Sequence, residues 1–245
     1  TANEKSFSTD YIVSGIHPKR VLEMLDTKLI RTSFRNRINS LPNTTPVFSI
    51  YLHFHENKVP YMNHNFYGYN SNSPWGCENY LEDSWPKGYM YTHFCHKDNP
   101  QYAESGVIFC YMSVEEMKPW ENTWIGKRGG DYNAFKKRKA EALLSAVEKD
   151  FPKLRSGIAN YYTSTPLTYR DYTGTEDGSI YGVAKDISLG VSSHIAHRTK
   201  VPNLLLAGQN TNSHGMLGVL IGSVVACSEL IGTQTIYNQI KEANG

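Results

Sequence analysis

Residues 202–229 read PNLLLAGQNTNSHGMLGVLIGSVVACSE and carry the clearest structural signal in the chain. The apolar run 204–207 predicts a strand that ends at Gly208, and a short polar loop follows it. A helix is then predicted to begin at Gly215, and two further glycines fall within its first two turns. Glycines one turn apart leave one helix face bare, so another backbone or a flat ligand can approach closely. The first turn also offers backbone N–H groups and the positive end of the helix dipole, which attract electron-rich groups.

The segment resembles the C-terminal flavin-binding signature of the phytoene desaturase and retinol saturase group of FAD-dependent oxidoreductases. Two other stretches support the resemblance: TSTPLT at 163–168 with GSIYG at 178–182, and DYIVS at 10–14 followed by His17 and Pro18. Many desaturases have Gly-Asp where this chain has Gly208-Gln209. The retinol saturase branch has Gly-Gln there, so the resemblance is nearer to that branch. Residues 30–155 match the group by pattern only.

The resemblance implies roles for particular residues. The expected neighbours of FAD are Gly208, Gln209, Asn210, Gly215, Met216, Leu217 and Gly218. His17 and His214 fall where the group places backbone around the flavin, so each is a candidate proton donor, with helix capping or packing as the alternative. Tyr51, Tyr161 and Thr165 are candidate substrate-binding residues. The aromatic strands can line a tunnel for a long apolar molecule, and ordinary core packing is the alternative explanation for their rings.

The partner motif of a dinucleotide site is missing from this chain. Enzymes of this kind are expected to begin with a strand, Gly-x-Gly-x-x-Gly and a helix. No two glycines here are separated by a single residue, and the chain starts at Thr1 rather than Met. We therefore expect the C-terminal part of a longer protein, whose N-terminal FAD-binding half is its missing partner. We expect this part alone neither to bind FAD tightly nor to turn over, and NAD(P)H is a candidate electron donor for the whole.

The predicted fold class is α+β. A mixed β-sheet substrate domain with flanking helices is expected over 30–200, and a partial, Rossmann-like FAD-binding domain lacks its N-terminal βαβ unit. Residues 1–29 would end the first pass of the flavin domain, and residues 201–245 would close the FAD site. The strand at 9–14 is expected to pair with the strand at 203–207.

Local patterns predict the remaining elements. Helices are expected at 18–28, with Pro18 in the first turn, at 30–40, and from an Asp131 cap to about 149. Strands are expected at 47–55, 63–69, 89–96, 106–112 and 161–165, with an irregular excursion over 74–86. In the first of these strands Phe48, Ile50, Leu52 and Phe54 share one face. The apolar strand 106–112 is predicted to be central in its sheet.

Composition excludes several classes of protein. A formal net charge of +2 over 245 residues does not indicate nucleic acid as a partner. The four cysteines form no Cys-x-x-Cys pair, which favours reduced thiols over disulfides or zinc. There is no signal peptide in these residues, and the longest apolar run, 216–227, is too short to span a membrane. We expect a cytoplasmic or peripheral-membrane location, with a hydrophobic small molecule as substrate.

Several alternatives stay open at this point. Three pairs of histidines suggest a metal site: 53 and 55, 93 and 96, and 194 and 197. The last pair could be adjacent on a helix. No acidic residue lies at a spacing that would support metal binding, so no metal is expected. The basic run at 136–139, with Lys127 and Arg128, fits a solvated helix face better than a lipid or nucleic-acid surface.

The leading function is saturation or desaturation of carbon–carbon bonds in an isoprenoid, retinoid or carotenoid-like lipid. A non-catalytic binding module and an amine oxidase-like flavoenzyme are the alternatives.

Overall fold

This computed structural model describes residues 5–70 and 72–245 of the chain. Within these residues the chain forms seven strands and seven α-helices. The strands are β1 Ile12–Ser14, β2 Val47–Phe54, β3 Phe66–Tyr69, β4 Gly88–Cys95, β5 Ala103–Tyr111, β6 Ile158–Ser164 and β7 Leu204–Leu206. The helices are α1 Pro18–Met24, α2 Thr32–Ser40, α3 Gly129–Glu148, α4 Leu154–Gly157, α5 Pro166–Thr173, α6 Gly215–Ile231 and α7 Thr233–Asn244. Short 3₁₀ helices span Glu82–Ser84, Val114–Trp120 and Ile187–Ser193. This mixture of helices and strands agrees with the predicted class.

The chain divides into two units. Unit 1 contains the chain up to Thr44, the short segment Thr173–Thr175, and Tyr181–Gly245. Unit 2 contains Thr45–Tyr172 and Glu176–Ile180. Residues 30–44 and 181–200, which the sequence assigns to the middle segment, therefore lie in unit 1. The reason is local: the backbones of Asn43 and Val183 form a β-bridge.

Unit 2 is built on a five-stranded sheet with the order β3-β4-β5-β2-β6. Strand β5 lies at its centre, as its apolar sequence predicts. All four strand pairs are antiparallel, so the prediction of a mixed sheet is wrong. Two parallel strands that are neighbours in a sheet must be joined by a crossover connection. The chain crosses over from β5 to β6 through the long helix α3. However, β2 lies between these two strands in the sheet, so they do not pair with each other.

One face of this sheet forms the core of unit 2. Phe48, Ile50, Leu52 and Phe54 of β2 are all buried there, which confirms the predicted alternation. They belong to one apolar cluster with residues of β4, β5 and α3. Burying a side chain of this size contributes roughly 1.5–3 kcal/mol, so this layer is the main source of stability in unit 2.

Helix α3 covers that core with one apolar stripe. Tyr132, Phe135, Leu143 and Val147 are buried. The predicted cap is wrong, however, because Arg128, three residues before Asp131, occupies the N-cap position and the helix begins at Gly129. Gly129 has φ +81°, a conformation that glycine adopts without strain, so the chain turns into the helix before it reaches Asp131.

Lys139 lies in the same buried stripe of α3. The sequence analysis places the basic run 136–139 on a solvated face, and this is wrong for Lys139, which is four residues from both Phe135 and Leu143. Its Nζ is 2.5 Å from a carboxylate oxygen of Glu116 and 4.6 Å from the ring centre of Trp85. The other oxygen of Glu116 accepts a hydrogen bond from Tyr80. The core of unit 2 thus contains an ion pair between Lys139 and Glu116.

His93 of β4 is buried in an aromatic pocket beside Phe54, Phe66 and Tyr91. Neither ring nitrogen has a hydrogen-bond partner among the described residues. Burial, followed by the charge of His64, lowers the pKa of His93 from 6.5 to about 4. The native protein therefore holds this ring neutral at physiological pH.

We expect His93 to make the protein less stable as the pH falls from about 6.5 to about 4. In this window the unfolded chain binds a proton on His93 and the folded chain does not, so each step down in pH favours unfolding. The shift corresponds to a loss on the order of 2–3 kcal/mol. Urea unfolding across this range, compared between the natural chain and His93→Phe, measures it. Identical pH profiles for the two proteins would contradict the prediction.

Unit 1 contains a two-stranded parallel sheet of β1 and β7. Ile12, Val13 and Ser14 pair with Leu204, Leu205 and Leu206, which confirms the predicted pairing of sequence-distant strands. A separate apolar cluster surrounds it, with members from α1, α2 and β7. Helix α1 ends at Met24, four residues before its predicted end. His194 and His197 follow a 3₁₀ helix instead of sharing an α-helix face, so their predicted placement is wrong.

Candidate functional site

The start of α6 in unit 1 has the backbone geometry that a close ligand requires. Gly208, two residues after the end of β7, has φ +86°, and Gly215, the first residue of α6, has φ +77°. Residues other than glycine rarely adopt this left-handed backbone conformation, so both positions need glycine. The polar loop therefore lies between two glycines with positive φ, and α6 begins at the predicted residue.

The surface above this helix start is open and apolar. A side-chain carbon built on Gly215 would meet no atom within 4 Å. Met216 and Leu217 are 91% and 69% exposed, although both are large apolar residues. His214, at the N-cap position, makes no side-chain capping bond, so the N–H groups of the first turn are not capped by a side chain. Apolar contacts beside polar N–H groups suit a flat ring with an electron-rich edge, so these residues fit an isoalloxazine.

Gly218 is where the loop and the helix touch. A side-chain carbon at this position would lie 2.7 Å from the backbone C and O atoms of Ser213. The same construction at Gly222, one turn later, gives only ordinary contacts of 3.8 Å or more. The two glycines thus have different roles. Gly218 lets the loop pack closely on the helix because it has no side chain, whereas the packing around Gly222 leaves room for one.

Asn210 organises the loop from inside. It is buried, and its side-chain oxygen accepts a hydrogen bond from the backbone N–H of Val183 at 2.9 Å. The carbonyl of Asn210 accepts a bond from Lys185 Nζ at 2.7 Å. A side-chain carbon on Gly182 would overlap the Asn210 amide, so this glycine of the GSIYG stretch makes room for it. Gln209 beside it is partly exposed.

His17 is buried and serves as the N-cap of α1. Its Nδ1 accepts a hydrogen bond from the backbone N–H of Lys19 at 3.3 Å, so Nε2 carries the proton and donates to Asn43 Oδ1 at 2.9 Å. This tautomer follows from the bonding partners, because a backbone N–H can only donate. The geometry favours the capping role, and proton donation by His17 stays a prediction.

His214 is partly buried in the same unit. Its Nε2 lies 2.8 Å from the carbonyl of Val183, which can only accept, so Nε2 carries the proton. Its ring stacks on Tyr181 with 5.6 Å between the ring centres. These contacts fix the orientation of the imidazole beside the helix start, and its catalytic role likewise stays a prediction.

The TSTPLT and GSIYG stretches meet within unit 2 through Gly178. This glycine has φ +73°, and a side-chain carbon on it would lie 1.9 Å from the carbonyl oxygen of Pro166. Thr165, the candidate substrate residue beside that proline, is fully buried, and its hydroxyl bonds Tyr132 at 2.7 Å. These contacts hold the chain between β6 and α5 in place.

The candidates Tyr51 and Tyr161 lie on opposite faces of the five-stranded sheet. The register pairs Tyr161 with Leu52 on the core face, and pairs Tyr162 with Tyr51 on the other face. The Tyr51 hydroxyl bonds the Tyr169 hydroxyl at 2.8 Å, and the latter bonds Ser49 at 2.7 Å. Burial is the main cause that raises the pKa of Tyr169 above its ordinary value.

The face that carries Tyr51 is exposed and aromatic; we call it the aromatic face. The register of the five strands places six exposed rings on it: Tyr51, Tyr67, Tyr69, Phe94, Tyr111 and Tyr162. Tyr162 is 71% exposed. Exposed aromatic groups in this number are typical of a binding surface. Sequence reasoning named the aromatic strands but missed Tyr162 and Tyr111, because only the register assigns them to this face.

Within the residues that the structure describes, no group of three or more His, Cys, Asp or Glu side chains is arranged to hold a metal ion. In the same residues, no helix combines the length and the apolar character needed to cross a bilayer.

The glycine-lined helix start and the aromatic face are the features expected of a cofactor-dependent oxidoreductase with an apolar substrate. The comparison with known proteins is more particular. Human all-trans-retinol 13,14-reductase is 32% identical over 138 residues, which are 55% of this chain and 22% of that protein. The enzyme of that name from Macaca fascicularis is 30% identical over 141 residues, 56% of this chain and 23% of that protein. The resemblance to the retinol saturase group is thereby confirmed, and the chain spans about a fifth of the length of these relatives.

The solved structures that match the chain include the following two, both with a TM-score below 0.5. An oxidoreductase from Methanosarcina mazei has a TM-score of 0.49 at 11% identity, over 90% of this chain and 43% of that one. Cyclohexylamine oxidase from Brevibacterium oxydans has a TM-score of 0.49 at 12% identity, over 98% of this chain and 45% of that one. Similarity at this level does not bear on function. No protein-family profile matches the chain.

Proposed function

We propose that this chain is the C-terminal part of an FAD-dependent oxidoreductase that acts on a carbon–carbon bond of a retinoid-like polyene. The similarity to all-trans-retinol 13,14-reductases is the observation that carries the proposal. The open helix start at Gly215 supports a flavin site, and the aromatic face supports an elongated apolar substrate. We infer segment 201–245 to close the flavin site and the sheet of unit 2 to bind the substrate.

In this proposal the first turn of α6 holds the cofactor. The residues that would contact FAD are Gly208, Gln209, Gly215, Met216, Leu217 and Gly218, and Asn210 would position the loop that they share. FAD, when bound, exchanges a hydride equivalent with a carbon–carbon bond. The N–H groups at the helix start would attract the electron-rich edge of the ring, and Met216 and Leu217 would exclude water from its face.

The aromatic face would orient the substrate. Flat rings such as Tyr51 and Tyr162 offer large apolar contact areas at a small cost in side-chain entropy. The hydrogen bond between the Tyr51 and Tyr169 hydroxyls fixes the position of the Tyr51 ring. Tyr161 and Thr165 would act indirectly, because both point into packed surroundings.

Flavin reconstitution of the full-length protein tests the proposal. The protein should retain FAD and show its visible absorption, and the reduced protein should convert all-trans-retinol to a product two mass units heavier. This 245-residue chain alone should not retain flavin. A full-length protein that binds no flavin would favour a non-catalytic module, and oxidation of amines in place of polyenes would favour the amine oxidase alternative.

Gly218→Ala should weaken FAD binding by the full-length protein about tenfold, because the new methyl group pushes the loop off the helix start. Overpacking of this kind costs roughly 1–3 kcal/mol, and 1.4 kcal/mol corresponds to a factor of ten. Gly222→Ala is the matched control and should change FAD affinity less than twofold. Flavin fluorescence titration of both apoproteins gives the two constants. Equal affinities for the two variants would count against a cofactor at this helix start.

A further inference from the structure

A cleft of about 260 Å³ lies in unit 2, where β6, α5 and the start of α3 meet. Polar side chains in its wall include Arg128, Lys136, Thr163, Thr168 and Tyr172. The first residue of α3, Gly129, also lines it, so the positive end of a 20-residue helix dipole faces the space. The cleft is small for a whole organic ligand, and its volume suits one polar group with its nearest atoms.

Arg128 is the unusual member of the wall. It is only 8% exposed, and it forms an ion pair with Asp171 through one terminal nitrogen. Its Nε–H is buried and has no acceptor. This nitrogen is enclosed by the protein, so a bound group would meet the part of the guanidinium that lines the cleft.

The charge around the cleft is positive. Asp171 is shared by Arg128 and Arg170, and the carboxylate of Asp131 accepts a bond from Trp120. Lys136 has no carboxylate partner among the described residues. Burial, together with the charge of Arg128, lowers the pKa of Lys136, which indicates that the two cations lie close together. A negative group between them would relieve this repulsion.

Hydroxyl groups complete the set of donors. Thr168 Oγ1 accepts a hydrogen bond from the backbone N–H of Thr165, so its own proton is free to be donated. Thr163 and Tyr172 add two more hydroxyl groups to the same wall. A guanidinium, an ammonium and several hydroxyls that converge at a helix start match a group with several charged oxygens.

We propose that this cleft binds a phosphate group. A phosphate offers three or more acceptor oxygens, which is more than a carboxylate provides for this number of donors. Exposed apolar residues at the rim, Ile125 and Tyr172, would contact whatever carries the phosphate. The carrier is either a soluble phosphate compound or a phospholipid headgroup. The proposal does not rest on the flavin site.

Calorimetric titration of the full chain with inorganic phosphate tests the site. Lys136→Gln should weaken binding at least tenfold, and Thr163→Val should weaken it severalfold without removing a charge. Lys137→Gln is the matched control, because it removes the same charge from an exposed position on the same helix, and it should change the constant less than twofold. Absence of phosphate binding, or equal effects of Lys136→Gln and Lys137→Gln, would overturn the proposal.

Vesicle flotation then separates the two carriers. Phosphatidylcholine vesicles with and without phosphatidic acid are mixed with the natural chain and with Lys136→Gln. Flotation that requires both phosphatidic acid and Lys136 supports a lipid headgroup, and phosphate binding without flotation supports a soluble compound. Flotation that is equal for Lys136→Gln and the natural chain, in a protein that does not bind inorganic phosphate, would contradict the site altogether.

Discussion

Gly178→Ala should lower the free energy of unfolding by about 3 kcal/mol or more. Two costs add at this position: alanine is strained at φ +73°, and its methyl group would lie 1.9 Å from the carbonyl oxygen of Pro166. A left-handed non-glycine residue costs roughly 1–2 kcal/mol, and overpacking against a fixed group costs roughly 1–3 kcal/mol. Urea unfolding followed by circular dichroism gives the difference.

Gly174→Ala is the control that separates the two costs. Gly174 has nearly the same backbone angle, φ +70°, but its nearest neighbour would be Arg20 Cγ at 3.7 Å. Only the conformational strain applies there, so this variant should lose about 1–2 kcal/mol. If the two alanine variants were equally stable, the close approach of Gly178 to Pro166 would not be a feature of the folded protein.

Lys139→Met should destabilise the protein by about 3–5 kcal/mol. Methionine fills a similar volume, so the main loss is the positive charge beside the largely buried carboxylate of Glu116. Removing one partner of a buried pair leaves the other charge without compensation, which is the costly case. Lys137→Met, on an exposed position of the same helix, should change stability by less than about 0.5 kcal/mol.

A double variant identifies the cause. Lys139→Met combined with Glu116→Gln removes both charges, and this protein should recover part of the stability that the single variant loses. Differential scanning calorimetry of the natural chain, both single variants and the double variant completes the cycle. No recovery in the double variant would mean that lost packing, rather than the ion pair, explains the effect of Lys139→Met.

The sequence was sufficient for the parts of the fold that depend on local patterns. The period-two alternation of β2 named its buried face, and the glycine pattern gave the first residue of α6. The pairing of β1 with β7 followed from the family resemblance, which links two segments almost 190 residues apart.

Other features depend on information that a local pattern does not contain. Tyr161 and Tyr162 are equally aromatic, and only the register with β2 places the second on the same face as Tyr51. Lys139 looked like a surface residue because its partner, Glu116, lies 23 positions earlier in the sequence. The second ring nitrogen of His17, Nε2, bonds Asn43, which no spacing rule connects with His17.

The two faces of the five-stranded sheet have one more consequence. Each position along β2 or β6 contributes to only one face, so residues such as Tyr162 or Phe94 can be exchanged with little effect on the interior layer beneath them. Surface exchanges of this kind usually alter stability by less than about 0.5 kcal/mol. Natural variation can therefore adapt the rings to molecules of different length or curvature while the scaffold itself remains intact.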